Sequence, residues 1–459
     1  MRVRIPPNSA ILQPAASTSS APAICPWCLT RSQYPRSRHS RRHFSSSRIQ
    51  SSAWAAAVSK LQNAVGDVLP IRPSSGNITI DPLKIVAEEL KFLNKNIRQL
   101  LGSGHPILDT VAKYYTQSEG KHVRPLLVLL MSRATAFAAK QPRPDTPNLS
   151  DTNIDMPISS PTVLYDNNPD QTSPSSPLTE TPKEARYAFP DDATILPSQR
   201  RLAEITELIH TASLLHDDVI DHSTTRRSAP SANTAFGNKM AVLAGDFMLG
   251  RASVALARLR DPEVVELLAT VIANLVEGEF MQLKNTASDE KYPAWSEQTI
   301  TYYLQKTYLK SASLISKSCR AAALLGQCAP SVVEAAYSYG KNLGLAFQLV
   351  DDMLDYTVSG SELGKPAGAD LELGLATAPL LFAWRSRPEL GQLVGRKFSG
   401  EGDVERAREI VIQSDGLEQT RALAQEYADK AIASISFFPA GEAKDGLEEM
   451  CVKVMKRRK

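Results

Sequence analysis

Hydrophobic residues recur every three or four positions along most of the chain, the spacing of one face of an α-helix. The pattern first covers Asp81–Leu101 and then Pro125 to about Ala139. It resumes at Ser198, a plausible N-cap, and predicts helices over residues 198–222, 238–258, 262–285, 296–325, 331–357, 371–386, 403–413 and 417–436. Convincing alternation of apolar and polar residues, typical of β-strands, is absent from the sequence. We therefore predict an all-α fold.

Residues 141–197 break the helical pattern. They contain 11 of the 30 prolines of the chain, together with many Ser, Thr, Asp and Asn residues. Such a composition cannot bury enough apolar area to order itself. We therefore expect a disordered Pro/Ser/Thr-rich insertion within one helical domain over residues 81–459. A linker between two domains is the alternative, which the single site described below disfavours.

The N-terminal residues differ from the rest of the chain in charge. Residues 1–66 contain eight Arg and one Lys but no Asp or Glu, although the net charge of the whole chain is only +3. The remainder is therefore mildly acidic, and no long basic stripe indicates a nucleic-acid partner. Residues 1–60 are typical of a mitochondrial transit peptide, with Arg42-His-Phe-Ser45 resembling a processing site. A disordered basic tail is the alternative.

The sequence shows no run of 18 or more apolar residues that could span a bilayer. The most apolar run, around Ala241–Ala257, is interrupted by Asp246 and Arg251. We therefore expect any contact with a membrane to be peripheral.

The pattern Asp-Asp-x-x-Asp occurs twice, and each copy follows an apolar helical run. The copies are Asp217-Asp218-Val-Ile-Asp221 and Asp351-Asp352-Met-Leu-Asp355. Residues four apart share one face of a helix, so the first and last aspartate of each copy project together. Carboxylate oxygens at this spacing suit Mg²⁺, which also holds substrate phosphates. A solvated acidic helix end is the plainer interpretation, and the repetition of the cluster disfavours it.

Further polar residues share a helix face with these clusters. His210 and Ser213 fall on the stripe of Asp217 and Asp221. Gln348 precedes the second cluster by three residues on the shared face. His210 is therefore a candidate ligand-binding residue rather than an isolated surface histidine.

Basic residues lie near both clusters in sequence. Arg226 and Arg227 follow Asp221 in a Ser/Thr-rich turn, and Lys121 and Arg124 share one side of a helical turn. Arg and Lys side chains bind phosphate well. Further candidates are Lys306, Thr307, Lys310 and Lys365.

With these motifs the sequence resembles the trans-isoprenyl diphosphate synthases, especially the mitochondrial long-chain polyprenyl diphosphate synthases of ubiquinone biosynthesis. The resemblance covers about residues 83–459 apart from the insertion. A further departure is Ser228, where the family usually has Gly after the Arg pair. The matching segments are Gly120-Lys-His-Val-Arg-Pro125, Leu214–Asp221, Arg226-Arg227, Phe236–Lys239, Leu243–Phe247, Gly278–Gln282, Lys306-Thr307, Phe347–Asp355, Gly364-Lys-Pro, Asp370-Leu371 and Thr377–Pro379.

The resemblance implies an antiparallel helix bundle of the isoprenoid synthase type around a deep central cavity, with the two aspartate helices facing each other. It implies that Asp217, Asp221 and Asp351 hold Mg²⁺, three ions per site, supported by Asp218, Asp352 and Asp355. The groups implied to grip the allylic diphosphate (farnesyl or geranylgeranyl) are Arg226, Lys306 and Lys365. Those implied to hold isopentenyl diphosphate are Lys121, Arg124, His210 and Arg227. Thr307 and Gln348 would line the place where positive charge develops. The family also suggests a homodimer or a heteromer with a related subunit.

The length of the product would depend on how far the growing apolar tail can extend below the first cluster. Ala212 and Ser213, one turn below it, are small, which predicts a long product. A short-chain synthase making a C15 or C20 product is the nearest alternative. A terpene cyclase or a non-catalytic partner subunit is less favoured, because both aspartate clusters and the Arg pair are complete.

Overall fold

The computed structural model describes residues 80–116, 122–143, 158, 194–227, 229–286, 293–357 and 368–457, and the statements below concern these ranges. The predicted leader, most of the predicted insertion, Lys121, Ser228 and Lys365 lie outside them. Nearly all regular structure in these ranges is helical, which confirms the predicted all-α class. The transit peptide and the insertion remain predictions.

The elements before residue 290 include one long buried helix. They are α1 (Pro82–Ile85), α2 (Ala87–Leu100), α3 (Pro106–Lys113), a 3₁₀ turn (Tyr114–Thr116), α4 (Val123–Ala134), α5 (Pro197–Ile220), β1 (Thr225–Arg226), β2 (Ala229–Pro230), α6 (Ala232–Phe236), α7 (Asn238–Arg258) and α8 (Pro262–Thr286). The long helix α5 is buried along most of its length and packs against α4 and α7.

The elements after residue 290 include a second long helix. They are α9 (Glu297–Thr307), a π-helical turn (Tyr308–Ala312), α10 (Ser313–Leu325), α11 (Pro330–Thr357), α12 (Ala369–Glu372), α13 (Ala378–Ser386), α14 (Leu390–Gly395), α15 (Asp403–Ile412), α16 (Gly416–Ser434) and α17 (Glu442–Met455). The second long helix, α11, packs against α10 and α16. Because α10 also packs against α5, it joins the two aspartate helices into one core.

Two local features fix the positions of the two long helices. The α5 helix begins at Pro197, and the Gln199 side chain accepts a hydrogen bond from the Leu196 N–H at 2.9 Å. On α11, Gly340 and Gly344 allow close approach, since a Cβ at either position would come within 2.7 Å of the Cα of Ser316 or Ala312. The middle of α11 is therefore held closely against α10 and the π-helical turn.

The elements differ from the prediction in several ways. The N-cap of α5 is Leu196 and not Ser198, and the predicted helix over 371–386 is divided into α12 and α13. The predicted helix over 296–325 is divided by the π-helical turn, an irregularity that hydrophobic spacing does not encode. Strands β1 and β2 pair antiparallel, with Arg226 opposite Ala229, and strands of two residues show no alternation to detect. The final helix, Glu442–Met455, is a separate helix that the sequence analysis did not predict.

The α7 helix is more apolar than expected. By length and composition it could cross a membrane, and it is the one such helix found among the described residues. However, 44% of its apolar stretch is buried inside the protein, and a core helix meets the same test. Arg251, expected to interrupt the run, is buried and donates a hydrogen bond to the Gly102 carbonyl at 2.7 Å.

Candidate active site

The first aspartate cluster lies at the C-terminal end of α5. Burial is the main cause that raises the pKa of Asp217 to about 6, and the neighbouring carboxylates of Glu279 and Asp221 add to it. Burial likewise raises the pKa of Asp221, which is the C-cap of the helix. Lys310 opposes both shifts. Negative charge is therefore concentrated here in a place with little water.

The middle aspartate of this cluster has a different environment. Asp218 is completely buried, and the Arg226 side chain donates to it from Nε at 2.7 Å and from Nη2 at 2.6 Å. Tyr115 donates its hydroxyl to the same carboxylate. The carboxylate of Asp218 therefore orients Arg226 instead of pointing at the cavity.

The second cluster lies at the C-terminal end of α11. Asp351 is part-exposed and ion-paired with Arg457 at 2.8 Å. Asp352 is buried and accepts hydrogen bonds from the Tyr303 hydroxyl at 2.5 Å and from Gln348 Nε2 at 2.8 Å. Burial is the main cause that raises the pKa of Asp352 to about 6. Asp355 is buried and accepts from the backbone N–H of Asp370 at 3.2 Å.

One cavity of about 160 Å³ brings the two clusters together. Asp221 lines it from the first cluster and Asp352 from the second. The remaining lining residues are Gln282, Tyr303, Lys306, Thr307, Lys310, Ser311, Gln348, Asp370, Leu373, Leu375 and Thr377. Acidic groups from two distant segments and two lysines thus share a single space.

The predicted residues Lys306 and Thr307 line this cavity from its second-cluster side. Lys306 lies over the Tyr303 ring, 5.4 Å from its centroid, and its pKa is lowered by burial and raised back in part by Asp352. The Thr307 hydroxyl hydrogen-bonds with Tyr303.

Lys310, a phosphate-binding candidate from the sequence, and Ser311, which the sequence did not single out, also line the cavity. Lys310 is ion-paired with Glu279 at 2.5 Å. Burial alone would lower the pKa of Lys310, but the charges of Asp217 and Glu279 raise it overall. Ser311 donates its hydroxyl to Gln348 Oε1 at 2.8 Å. The signal that could have identified Ser311 was Lys310-Ser311, a second pair of a lysine and a hydroxyl residue four positions after Lys306-Thr307. The π-helical turn brings this second pair into the cavity wall.

A smaller pocket is lined by two of the predicted substrate-binding residues, Arg226 and Arg227. Arg227 and His122 line it, and both have left-handed backbone conformations, with φ of 52° and 41°. Next to it, Arg124 Nη1 lies 2.9 Å from His210 Nε2. Burial first and the neighbouring Arg124 second hold the pKa of His210 well below its usual value. His210 is therefore a neutral acceptor that orients Arg124.

The pocket also contains groups that the sequence did not single out. His122 Nδ1 lies 3.1 Å from Glu207 Oε1, and Tyr115 lines the same wall. Glu207 would have been difficult to detect, because it lies on α5 ten residues before Asp217 without a motif of its own.

The two predicted chain-length residues are both on α5. Ala212 is completely buried, and Ser213 is part-buried with its hydroxyl donating to the His210 carbonyl at 2.9 Å.

A pre-formed cage of ligands is not seen in the part of the chain that the structure describes. There, no three His, Cys, Asp or Glu side chains are grouped so that they could hold one metal ion. Mg²⁺ needs no such cage, because it usually keeps several waters and is held by one or two carboxylates together with substrate phosphates.

Comparisons with known proteins agree with this geometry. Residues 184–411 match the family model described as polyprenyl synthetase. A probable mitochondrial hexaprenyl pyrophosphate synthase of Neurospora crassa is 68% identical over 92% of each chain. The mitochondrial hexaprenyl pyrophosphate synthase of Saccharomyces cerevisiae is 47% identical over 83% of this chain and 91% of its own.

A solved structure shows the same architecture. It is a polyprenyl synthase from Caulobacter crescentus, complexed with calcium and isoprenyl diphosphate. It is 30% identical, with a TM-score of 0.65, over 84% of this chain and 100% of its own. The predicted isoprenoid synthase fold and mitochondrial location are thereby confirmed. The chain belongs to the polyprenyl synthetase family.

Proposed function

We propose that this protein is an Mg²⁺-dependent synthase that adds isopentenyl diphosphate units to an allylic diphosphate. Its product is a long all-trans-polyprenyl diphosphate, the side-chain precursor of ubiquinone. The predicted long-chain synthase function agrees with relatives named hexaprenyl and decaprenyl diphosphate synthases. The observation that carries the proposal is the single cavity lined by both aspartate clusters and by Lys306 and Lys310.

The residues at the cavity fit a hard divalent ion. Burial and the neighbouring carboxylates raise the pKa of Asp217 to about 6, which is the situation that a bound cation relieves. Asp217, Asp221 and Asp351 would hold the ions, with Asp218, Asp352 and Asp355 supporting. A neighbour in the family was solved with calcium, which supports a divalent metal. When bound, Mg²⁺ supplies positive charge that stabilises the leaving diphosphate.

The side chains of the protein provide the rest of the chemistry. Arg226, Lys306 and Lys310 bind the allylic diphosphate, joined by the predicted Lys365, while the allylic C–O bond breaks and negative charge builds on the leaving group. Arg124, Arg227 and the predicted Lys121 hold the diphosphate of isopentenyl diphosphate, with His210 orienting Arg124.

The new carbon–carbon bond needs no protein nucleophile. The double bond of isopentenyl diphosphate attacks the allylic carbon, and a proton then leaves to the released diphosphate. The carbonyl of Gln348 and the hydroxyl of Ser311, hydrogen-bonded to each other, present oxygen lone pairs beside the developing positive charge. Substrates that fill the cavity would displace water that could otherwise trap the cation.

The direct test is product analysis. The mature protein is incubated with labelled isopentenyl diphosphate, farnesyl diphosphate and Mg²⁺, and the products are separated by chain length. We expect a polyprenyl chain longer than C20, and no product with EDTA or with the Asp217→Asn variant. A C15 or C20 product would indicate the short-chain alternative, and a cyclised hydrocarbon would indicate a cyclase.

We also propose that a second copy of the chain, or a related subunit, covers an exposed apolar stripe on α7 and α8. The stripe consists of Met240, Leu243, Val254, Val276, Phe280 and Leu283, all of them exposed. One relative is named as subunit 1 of a decaprenyl diphosphate synthase. We expect Phe280→Glu to reduce the mass measured by light scattering to that of one chain. Phe437→Glu, at an exposed aromatic residue outside the stripe, is the matched control.

A further inference from the structure

Tyr115 makes two hydrogen bonds that join separate elements of the site. It lies in the 3₁₀ turn after α3, and its ring is buried. Its hydroxyl donates to Asp218 Oδ2 on α5 and accepts from the backbone N–H of Ala232, the first residue of α6, at 2.8 Å. Both hydrogen-bonding functions of the hydroxyl are therefore used in fixed directions.

Asp218 transmits this constraint to Arg226. The carboxylate accepts from Arg226 Nε and Nη2, which fixes the plane of the guanidinium in a fork. Nη1 of Arg226 has no hydrogen-bond partner within the ranges described, and the side chain is still 28% exposed. The same guanidinium lines the pocket that also contains Arg227 and His122. Arg226 is thus held along one edge while the other edge can bind a ligand.

We propose that Tyr115 is a positioning residue for the reaction: through Asp218 it sets the direction in which Arg226 presents its guanidinium to the allylic diphosphate. This inference rests on the proposed function, because that function makes Arg226 a diphosphate-binding group. The Tyr115 hydroxyl donates to the Asp218 carboxylate, which in turn accepts from the Arg226 guanidinium. Both hydrogen bonds join buried or part-buried groups.

The hydrogen bond from Tyr115 also affects charge. A buried carboxylate paired with Arg226 alone would neutralise much of the guanidinium charge. Donation from a hydroxyl takes up part of the negative charge on Asp218, and the guanidinium keeps more of its attraction for phosphate. Loss of the hydroxyl therefore weakens the electrostatic role of Arg226 as well as its orientation.

The second cluster has the same arrangement. Tyr303 donates to the middle aspartate, Asp352, which in turn accepts from Gln348 Nε2. Because Nε2 is held by Asp352, the carbonyl oxygen of Gln348 must point the other way, toward Ser311. In both clusters the middle aspartate is buried, bound by a tyrosine, and used to orient a side chain of the site. The recurrence indicates that the tyrosines do more than fill space.

The test compares two neighbouring tyrosines. Tyr115→Phe removes only the hydroxyl that reaches Asp218. Tyr114→Phe is the matched control. The Tyr114 hydroxyl donates to the Pro230 carbonyl at 3.0 Å, on the strand β2 that pairs with the Arg226 strand β1, and is not hydrogen-bonded to Asp218. Steady-state kinetics are measured for farnesyl diphosphate and for isopentenyl diphosphate. Binding of inorganic pyrophosphate is measured by calorimetry without turnover.

We expect Tyr115→Phe to lower kcat/KM for farnesyl diphosphate roughly ten- to a hundredfold, the range for losing a hydrogen bond to a charged group. The loss should appear mainly in kcat, and pyrophosphate should bind several-fold more weakly. Tyr114→Phe should stay close to wild type. In the Arg226→Lys background the additional effect of Tyr115→Phe should shrink to less than about twofold, because the group that it positions is already replaced.

Two results would overturn the inference: wild-type kinetics in Tyr115→Phe, or losses that simply multiply in the double variant, as a structural role would give. Failure of the proposed function looks different. In that case the wild-type protein makes no prenyl product at all, while the pyrophosphate measurement still decides whether Tyr115 affects Arg226.

Discussion

Arg457, near the end of α17, is ion-paired with Asp351, the first aspartate of the second cluster. The Arg457 Nη1 atom lies 2.8 Å from Asp351 Oδ1, and the guanidinium stacks over the Phe347 ring at 4.6 Å from the centroid. Asp351 is also a proposed metal ligand. The guanidinium occupies one lone pair of this carboxylate, and its positive charge repels a divalent ion at the same place, so Arg457 opposes metal binding at Asp351.

We therefore expect Arg457→Gln to tighten the binding of Mn²⁺, measured by calorimetry in the absence of any diphosphate. The gain should be only about two- to fivefold, because a part-exposed ion pair contributes up to about 1 kcal/mol. Lys456→Gln removes the same charge from the adjacent residue, which faces a groove beside Arg421, and should leave Mn²⁺ affinity unchanged. An equal increase in Mn²⁺ affinity in both variants would show that the net charge, and not the ion pair with Asp351, causes the effect.

The raised pKa of Asp217 predicts that the site reduces the stability of the ligand-free protein. Its pKa in the folded protein is about 6 against 3.8 in an unfolded chain, so folding favours the protonated form. The penalty is complete above pH 6 and is relieved as the pH falls from about 6 toward 4. In EDTA, Asp217→Asn should raise the free energy of unfolding at pH 7.5 by roughly 1–3 kcal/mol.

The measurement is chemical unfolding at several pH values. The stabilisation by Asp217→Asn should disappear near pH 4, where the wild-type carboxyl is protonated. Asp246→Asn is the control, since this aspartate on α7 is 63% exposed and carries little desolvation cost. An unstable Asp217→Asn variant at pH 7.5 would show that the carboxylate is well compensated in the folded protein.

The two hydroxyls in the cavity should differ in their importance. Ser311→Ala removes the donor to Gln348 Oε1 and leaves the amide held by Asp352 alone, whereas Thr307→Ala removes a hydrogen bond to Tyr303 only. We expect Ser311→Ala to lower the single-turnover rate about tenfold, corresponding to one hydrogen bond. Thr307→Ala should lower it less. The opposite order would favour the original prediction that Thr307 lines the place where positive charge develops.

Particular residues show which parts of the site could be predicted from sequence. Asp217 and Asp351 were recognisable because their clusters have helical spacing and follow apolar runs. The contact of Asp351 with Arg457 was not, because it joins segments about a hundred residues apart that only packing brings together. Ser311 was missed for a local reason: the π-helical turn changes which side chains face the cavity, and hydrophobic periodicity does not report such a turn.

The positions that limit product length, Ala212 and Ser213, can be tested directly. Ala212 and Ser213 lie one turn below Asp217 on α5. If the growing tail passes them, Ala212→Phe or Ser213→Phe should shorten the product, since a phenyl ring would fill the path. Ala212 is completely buried, so its replacement also costs roughly 1–3 kcal/mol of packing, and thermal unfolding must first show that the variant folds.

Ser213→Ala is the control that distinguishes the effect of a larger side chain from the effect of losing the hydroxyl, because it removes only the hydrogen bond to the His210 carbonyl. It should keep the wild-type product length. Chromatography of the dephosphorylated products measures all three variants. Wild-type chain length in both folded Phe variants would refute this position for the wall, whatever their rates.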